Sequence, residues 1–535
     1  MNKKLKMFLA SMLMFSLLGA IFISQAAALP KSESIIFIPF GTGINQLGIT
    51  PEELQTEKEI PQSFFIDNKS IYILDSVKKR IAIYGSTGTY SSSIPLEFIN
   101  NPKDIMIYNN NIYVLAEKDS SAVVYTLSPQ GTIIAEDWLP STLKGFEAKF
   151  LKVTKSNNIG VTTSKYDEYE LNNDGTATKT SDGITSPYSD KVLKGVLGSD
   201  KQMHLRSVDG NIDLALNIKA FPAGADIVGN DNSGNVYVMV GDMADTSKVI
   251  VESTIRKIDK NGKQIGIVKL PLDKCTNFPQ KAIDVKANGD IYFMAIVNRG
   301  IEIEKLNTDK TYKSTILDDQ AKQKAKESTV GKDEPVTVSP MVTVNSRNTT
   351  LERAMDSSYR FSWMYSASNN INPNPSTVTR PDFLSSYGWK TGIPYCWGGY
   401  DTLDRYSSTG WTNFQDAMNK GKFAGNIATP SGGWQAGTAG VDCSGYVGSA
   451  VGYGSIKPGT WTLYADTHSH TLSERGQMDI YINPAEHVMF FNSALSDGTG
   501  ISTFESTTLG DDKSQQTSRS YTWLTTKNYY LRSWW

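Results

Sequence analysis

Between residues 31 and 310 the apolar positions fall in short runs of about four, separated by polar turns. The run Ile71, Tyr72, Ile73, Leu74 is echoed by Ile112, Tyr113, Val114, Leu115, about 40 residues further on. Runs of the same character recur at 159–161, 203–205, 236–239 and 291–294. Several are followed by a second run and then by a turn pair: Thr87-Gly88, Gln130-Gly131, Asp174-Gly175, Asn261-Gly262. Such pairs between apolar runs signal hairpins. Strand–turn units repeated at about 40 residues predict an all-β propeller, six-bladed if each unit is one blade. The run at 35–38 would supply the strand that closes the ring. Uneven spacing leaves the blade count open by about one, and a pair of β-sandwiches is the alternative. Asp231-Asn232-Ser233-Gly234-Asn235 lacks the further ligands and the bidentate Glu of a calcium loop, and reads as a hairpin turn.

The pattern changes after residue 310. Lys, Gln, Glu and Asp dominate 318–334, so 311–345 reads as a solvated, partly helical linker. Leu351, Ala354, Met355, Tyr359, Phe361, Trp363 and Met364 then predict an amphipathic helix that leads a second domain, 346–535. Inside it a small-residue run enters Cys443 and continues as Ser444, Gly445, Tyr446, Val447, Ala450 and Val451. That spacing predicts a tight turn opening a buried helix, with Cys443 in its first turn. Unpaired N–H groups and the positive end of the helix dipole favour thiolate there. A lone Cys is more often inert packing, but two other segments accompany this one. Upstream is Pro394-Tyr395-Cys396-Trp397-Gly398-Gly399, and downstream His487 opens the apolar strand Val488-Met489-Phe490-Phe491. Cys first on a helix and His later on a strand is the order of a papain-like Cys–His pair. The other histidines are His204, His468 and His470. His468 and His470 fit one strand face but have no third ligand in view, so no metal is expected.

These three segments together resemble the NlpC/P60 family of cell-wall peptidases, which carries Pro-Tyr-x-Trp-Gly-Gly, then Asp-Cys-Ser-Gly, then a strand beginning His-Val. The resemblance covers roughly residues 380–535. It implies an α+β papain-like fold following the propeller, and hydrolysis of peptidoglycan stem peptides beside a γ-D-glutamyl residue through an acyl-enzyme. Cys443 would be the nucleophile and His487 the base. The third group, often His in the family, falls on the strand near 501–505, where Glu505 is the candidate with Ser506 or Thr503 behind it. Tyr395, Trp397, Asp442 and Ser444 would contact substrate, a carboxylate at 442 suiting an ammonium group. Asp442 as a structural helix-start residue is the other reading. The backbone N–H of Cys443 would enter the oxyanion hole. Asp479 matches a structural Asp of the family, with Met478 where the family has Gly. A long insertion, 400–440, separates the Trp-Gly-Gly and Asp-Cys-Ser-Gly stretches. It carries an expected helix at 413–423 and either rims the cleft or decorates the surface. The propeller resembles the NHL/YncE type.

Charge and composition narrow the picture. The 535 residues carry a net charge of −2, so nothing points to nucleic acid. Lys3, Lys4 and Lys6, the apolar stretch 7–23 and Ala26-Ala27-Ala28 read as a signal peptide, 1–28, with an uncleaved anchor as the alternative. Three Cys in an exported chain are not a disulfide framework, and the odd count leaves one thiol unpaired. Cys396 is expected close to the nucleophile but pointing to the core if Tyr395 faces the cleft. Cys396 reads first as a buried unpaired thiol; the other reading is a Cys396–Cys443 disulfide that would silence the enzyme. The expectation is therefore a secreted, wall-associated cysteine peptidase without cofactor, partnered by stem peptides and by a wall polymer or protein on the propeller. The alternatives are a papain-like amidase or acyltransferase on another wall or lipid substrate, or a non-enzymatic wall-binding propeller.

Overall fold

The computed structural model describes residues 32–49, 59–67, 69–118, 121–143, 145–172, 174–186, 189–330, 344–430 and 433–535. The expected signal peptide lies outside them. Six four-stranded sheets follow one another along the first part of the chain. Five are consecutive meanders at 63–95, 102–138, 148–181, 184–215 and 221–269. The sixth combines Ile283–Val285, Ile291–Val297 and Gly300–Leu306 with the first strand, Ser32–Pro39. That strand runs antiparallel to Gly300–Leu306, with Ile36 opposite Ile303 and Ile38 opposite Ile301. Six sheets with the chain start completing the last are consistent with a six-bladed propeller closed at 35–38, and not with two stacked sandwiches. The turn glycines follow from backbone sterics: Gly88, between Arg80–Gly85 and Tyr90–Pro95, has φ +85°, which other L-residues adopt at a cost.

The core of this part lies between neighbouring sheets. Ile71 and Ile73 pack with Ile36, Ile38, Ile301 and Ile303, while Leu74 and Ile81 pack with Ile105, Val114 and Val123 of the next sheet. Alternation along each strand sends successive side chains to opposite neighbours. After the sixth sheet, a helix at Ile316–Val330 occupies much of the expected linker. It is held by polar bonds: Glu327 accepts from the Ser247 N–H and hydroxyl at 3.1 and 2.7 Å, and Gln320 from the Asp245 N–H at 2.8 Å.

The C-terminal part is a six-stranded antiparallel sheet with short helices. The strand order is His468–Ser469, Tyr530–Ser533, Ile480–Asn483, His487–Ala494, Gly500–Thr507, Lys513–Ser520. Its two faces have different partners. Ile480, Ile482, Val488, Phe490 and Phe504 pack in one cluster with the Cys443 helix. Tyr481, Met489, Phe491 and Ile501 pack in another with Tyr237, Phe278 and Phe293 of the propeller-like part. The sheet is therefore sandwiched between the helix and the ring. The contact is closed by a backbone bridge, Leu531 N–H to Ser247 O at 2.8 Å and Val249 N–H to Tyr529 O at 3.0 Å. It is pinned by Lys149, whose ammonium donates to Asp226 at 2.7 Å and to Asp497 at 2.8 Å.

Two expected helices are shorter than the pattern suggested. The leading helix covers only Arg347–Met355 and ends through a wide turn at Asp356–Arg360. Ser362–Tyr365 is a strand, with Trp363 and Tyr365 buried and Ser362 and Met364 exposed; a period of two overrode the helical reading of its aromatics. The insertion helix is Phe414–Asn419, capped by Asn413, whose side chain accepts from the Asp416 N–H at 2.9 Å. The insertion is not a solvent-facing decoration. Trp411, Phe414, Ala417 and Met418 join the same buried cluster as Cys443.

Candidate active site

Cys443 is the first residue of the helix Cys443–Val451, and Asp442 is its N-cap. One Asp442 oxygen accepts from the Gly445 N–H at 2.8 Å and from the Ser444 hydroxyl at 3.2 Å, which satisfies one of the orphan donors of the helix start. The other accepts from the Gly398 N–H at 3.1 Å and pairs with Lys457 Nζ at 2.8 Å. Lys457 also donates to the Ser444 hydroxyl at 2.8 Å. Asp442 is thus a structural cap joined to the Trp-Gly-Gly turn, and Lys457 already stands where an ammonium group would bind it. The contact between the two glycine motifs is a backbone approach. A Cβ on Gly445 would meet the Gly399 carbonyl oxygen at 2.5 Å, and one on Gly399 would meet the Gly440 oxygen at the same distance. Only glycine fits both places.

The helix packs on the strands His487–Ala494 and Gly500–Thr507. The Ser506 hydroxyl donates to the Val441 oxygen at 2.7 Å, tying the loop before Cys443 to the strand one residue past Glu505. On that strand pair His487 Nε2 lies 2.8 Å from Glu505 Oε2. Glu505 is fully buried and accepts two further hydrogen bonds: Oε2 from Arg519 Nη2 at 2.8 Å and Oε1 from the Thr503 hydroxyl at 2.6 Å. Burial pushes the Glu505 carboxyl up. The Arg519 guanidinium, then the His487 bond and the Thr503 hydroxyl, outweigh it and hold the group well below the usual carboxylate range. The carboxylate bond at Nε2 orients the imidazole.

The expected substrate-contact residues lie around the nucleophile loop. Tyr395 is buried, bridges Val441 in a parallel pairing and donates its N–H to the Asp512 oxygen at 2.8 Å. Trp397 is half-buried, and its indole N–H is buried without a partner among the described residues. Cys396 is buried, with Sγ 3.3 Å from the Thr438 hydroxyl; Tyr395 is buried beside it, so the alternation expected from a cleft-facing Tyr395 does not decide its direction. Burial pushes its thiol up, and Cys275, Cys396 and Cys443 are all free thiols. Asp401 anchors the insertion beside the site: it accepts from the Trp411 indole at 2.6 Å, the Ser407 N–H at 2.6 Å and the Gly440 N–H at 3.2 Å. The insertion also covers the Trp-Gly-Gly turn, since a Cβ on Gly398 would meet the Trp434 nitrogen at 2.5 Å.

Asp479 is a structural hub. It accepts from Ser533 at 2.7 Å and the Gly476 N–H at 2.8 Å, pairs with Arg347 at 2.6 Å, and lies 3.0 Å from His470 Nδ1. His468 and His470 face each other through Nε2 at 3.0 Å. Met478, where the resembled family has Gly, has φ +71° and is fully buried. Sequence reasoning missed Arg519, Lys457 and Asp401. Their partners come from cross-strand register or from loop closure, and no local spacing announces them.

No family model matches the chain, and no curated protein matches it. Among solved structures it is similar to virginiamycin B lyase from Staphylococcus aureus, at 13% identity over 46% of this chain and 94% of that one, with a TM-score of 0.29. A streptogramin B lyase structure matches at 15% identity over 46% and 78%, with a TM-score of 0.27. A glucose dehydrogenase matches at 8% identity over 52% and 100%, with a TM-score of 0.33.

Proposed function

We propose that the C-terminal part is an NlpC/P60-like cysteine peptidase, secreted and wall-associated, that hydrolyses peptidoglycan stem peptides beside a γ-D-glutamyl residue. The observation that carries the reading is the buried His487–Glu505 couple at 2.8 Å on strands packed by a helix that begins at Cys443. In this reading His487 takes the thiol proton, the Cys443 thiolate adds to the stem-peptide carbonyl, and the proton passes to the leaving amine as the acyl-enzyme forms. Water, deprotonated by the same imidazole, then releases the acid. Glu505 holds the imidazole and stabilises its charged form. The unpartnered Trp397 indole N–H is a donor that a substrate carbonyl would satisfy. The propeller-like part would dock the enzyme to a wall polymer or protein.

A second reading rests on Lys457. Its pairing with Asp442 at 2.8 Å supports an amidase or acyltransferase on a wall or lipid substrate that brings no free amine to that position. Digestion of purified peptidoglycan by the full chain, with mass spectrometry of the released fragments, tests both. New γ-D-glutamyl-adjacent ends, absent with Cys443→Ala, are expected; unchanged peptidoglycan, or equal cleavage by Cys443→Ala, would sink the peptidase reading.

A further inference from the structure

The axis of the ring holds a cavity that the catalytic reading does not use. Its volume is about 470 Å³. Phe65, Met106, Phe150, Ile184, Ile227 and Ile283 line it, one from the first strand of each meander and from the first of the three consecutive strands in the sixth sheet. The volume is within the range of small-molecule sites, about 300–1,000 Å³. At one end Phe150, Met239, Phe278 and Gln280 are shared with a smaller cavity of about 140 Å³, walled by Leu495 and Thr499 of the turn between His487–Ala494 and Gly500–Thr507. The C-terminal part therefore stops that end. At the other end the lining includes Asn157, which is exposed, and Tyr108, whose hydroxyl donates to the Asn157 oxygen at 3.2 Å.

The charges in the wall decide what the cavity can hold. Three lysines line it, and each is paired with a carboxylate: Lys152 with Glu168 at 2.5 Å, Lys281 with Asp104 at 3.3 Å, Lys286 with Asp284 at 2.5 Å. Lys286 also lies over the Phe65 ring at 4.3 Å. A charged guest would lose its hydration and find each counter-charge already taken. An uncharged, mostly apolar guest loses only unfavourable hydration and gains aromatic and aliphatic contact. We propose that this axial cavity is a binding site for a neutral, largely apolar small molecule, separate from the Cys443 site.

The test is a fluorescence titration of the full chain with two probes that share one ring system. N-phenyl-1-naphthylamine is neutral; 1-anilinonaphthalene-8-sulfonate adds a single negative charge. The expected result is saturable one-site binding of the neutral probe and at least tenfold weaker binding of the sulfonate. Met106→Trp and Val285→Trp, which fill the cavity from different sheets, should each weaken the neutral probe at least tenfold with an unchanged far-UV circular dichroism spectrum. Ala282→Leu, a smaller filling, carries the same expectation should a tryptophan variant fail to fold. Absence of saturable binding, neutral-probe affinity unmoved in folded filling variants, or equal binding of the sulfonate would each overturn the proposal.

Discussion

Glu505→Gln tests the candidate site without assuming a substrate. The amide keeps the volume and one acceptor but removes the charge that faces Arg519 and His487. The glutamate side chain is 0% exposed and that of Arg519 11%, so solvent screens the pair little. Breaking a buried ion pair costs about 3–5 kcal/mol. The retained acceptor offsets part of this, so a loss of about 2–4 kcal/mol at neutral pH is expected. The pH dependence gives the charge away. Arg519, His487 and Thr503 depress the folded-state carboxyl against the effect of burial, so its contribution is complete above the unfolded glutamate value of about 4.3. It is lost as pH falls through the lower folded value. Wild type should therefore lose stability in acid more steeply than Glu505→Gln, and the two should converge at low pH. Urea unfolding followed by tryptophan fluorescence at a series of pH values below 7 measures this. A difference independent of pH, or one below about 1 kcal/mol at neutral pH, would refute the assigned pairing. In the peptidase reading the same variant should lower kcat by about 10²–10⁴-fold, since the imidazole loses its orienting group.

Cys443→Ala and His487→Ala should each abolish release of stem-peptide fragments, and the double variant should be little worse than either, as quantified by mass spectrometry. Lys149→Met leaves Asp226 and Asp497 buried without their shared cation; it should cost about 3–5 kcal/mol at pH 7, as read from thermal melts. Met478→Gly should relieve about 1–2 kcal/mol of left-handed backbone cost but lose about 2–5 kcal/mol of buried side chain, so a melting temperature above wild type would contradict the balance. Residues 31–310 alone should give an all-β circular dichroism spectrum, whereas 346–535 alone should self-associate through bared Tyr481, Met489, Phe491 and Ile501; a monomeric 346–535 fragment by sedimentation would refute the shared core.

The repeated sheets were legible because each rests on local signals. Apolar runs of period two and glycine turns such as Thr87-Gly88 mark a hairpin wherever they occur, and the run at 35–38 pairs with Gly300–Leu306 as the fourth strand of a sheet to which the last unit gives only three. The segment 362–365 was not legible in the same way. Trp363 also fits a helical spacing with Met355 and Tyr359, and only the pairing of Ser362–Tyr365 with Gly388–Thr391 selects the strand. The contact between the two parts of the chain was invisible for a different reason. Lys149, Asp226 and Asp497 come from separate elements, and nothing near any of them in sequence distinguishes them from surface charges.

The same division runs through the site. Cys443 at a helix start and His487 at a strand start follow from apolar patterning, whereas Glu505 as a candidate is what the family resemblance implies for the next strand. What could not be read is why a carboxylate is tolerated there. In the resembled family the third group is often an imidazole, which can be buried neutral. A carboxylate buried at 0% exposure would be costly if left unpaired. The next strand supplies the answer, because register places Arg519 opposite Ile501, two pairs beyond Thr503–Thr517 and on the face shared with Glu505. The guanidinium at 2.8 Å balances the charge, and the carboxylate is left able to orient His487. The substitution of Gly by Met478 is tolerated by the opposite means: a strained backbone angle, φ +71°, is offset by a fully buried side chain packed beside Ile480 and Val488 in the cluster that holds Cys443. Each departure from the family pattern is compensated by a partner that only the folded chain brings near.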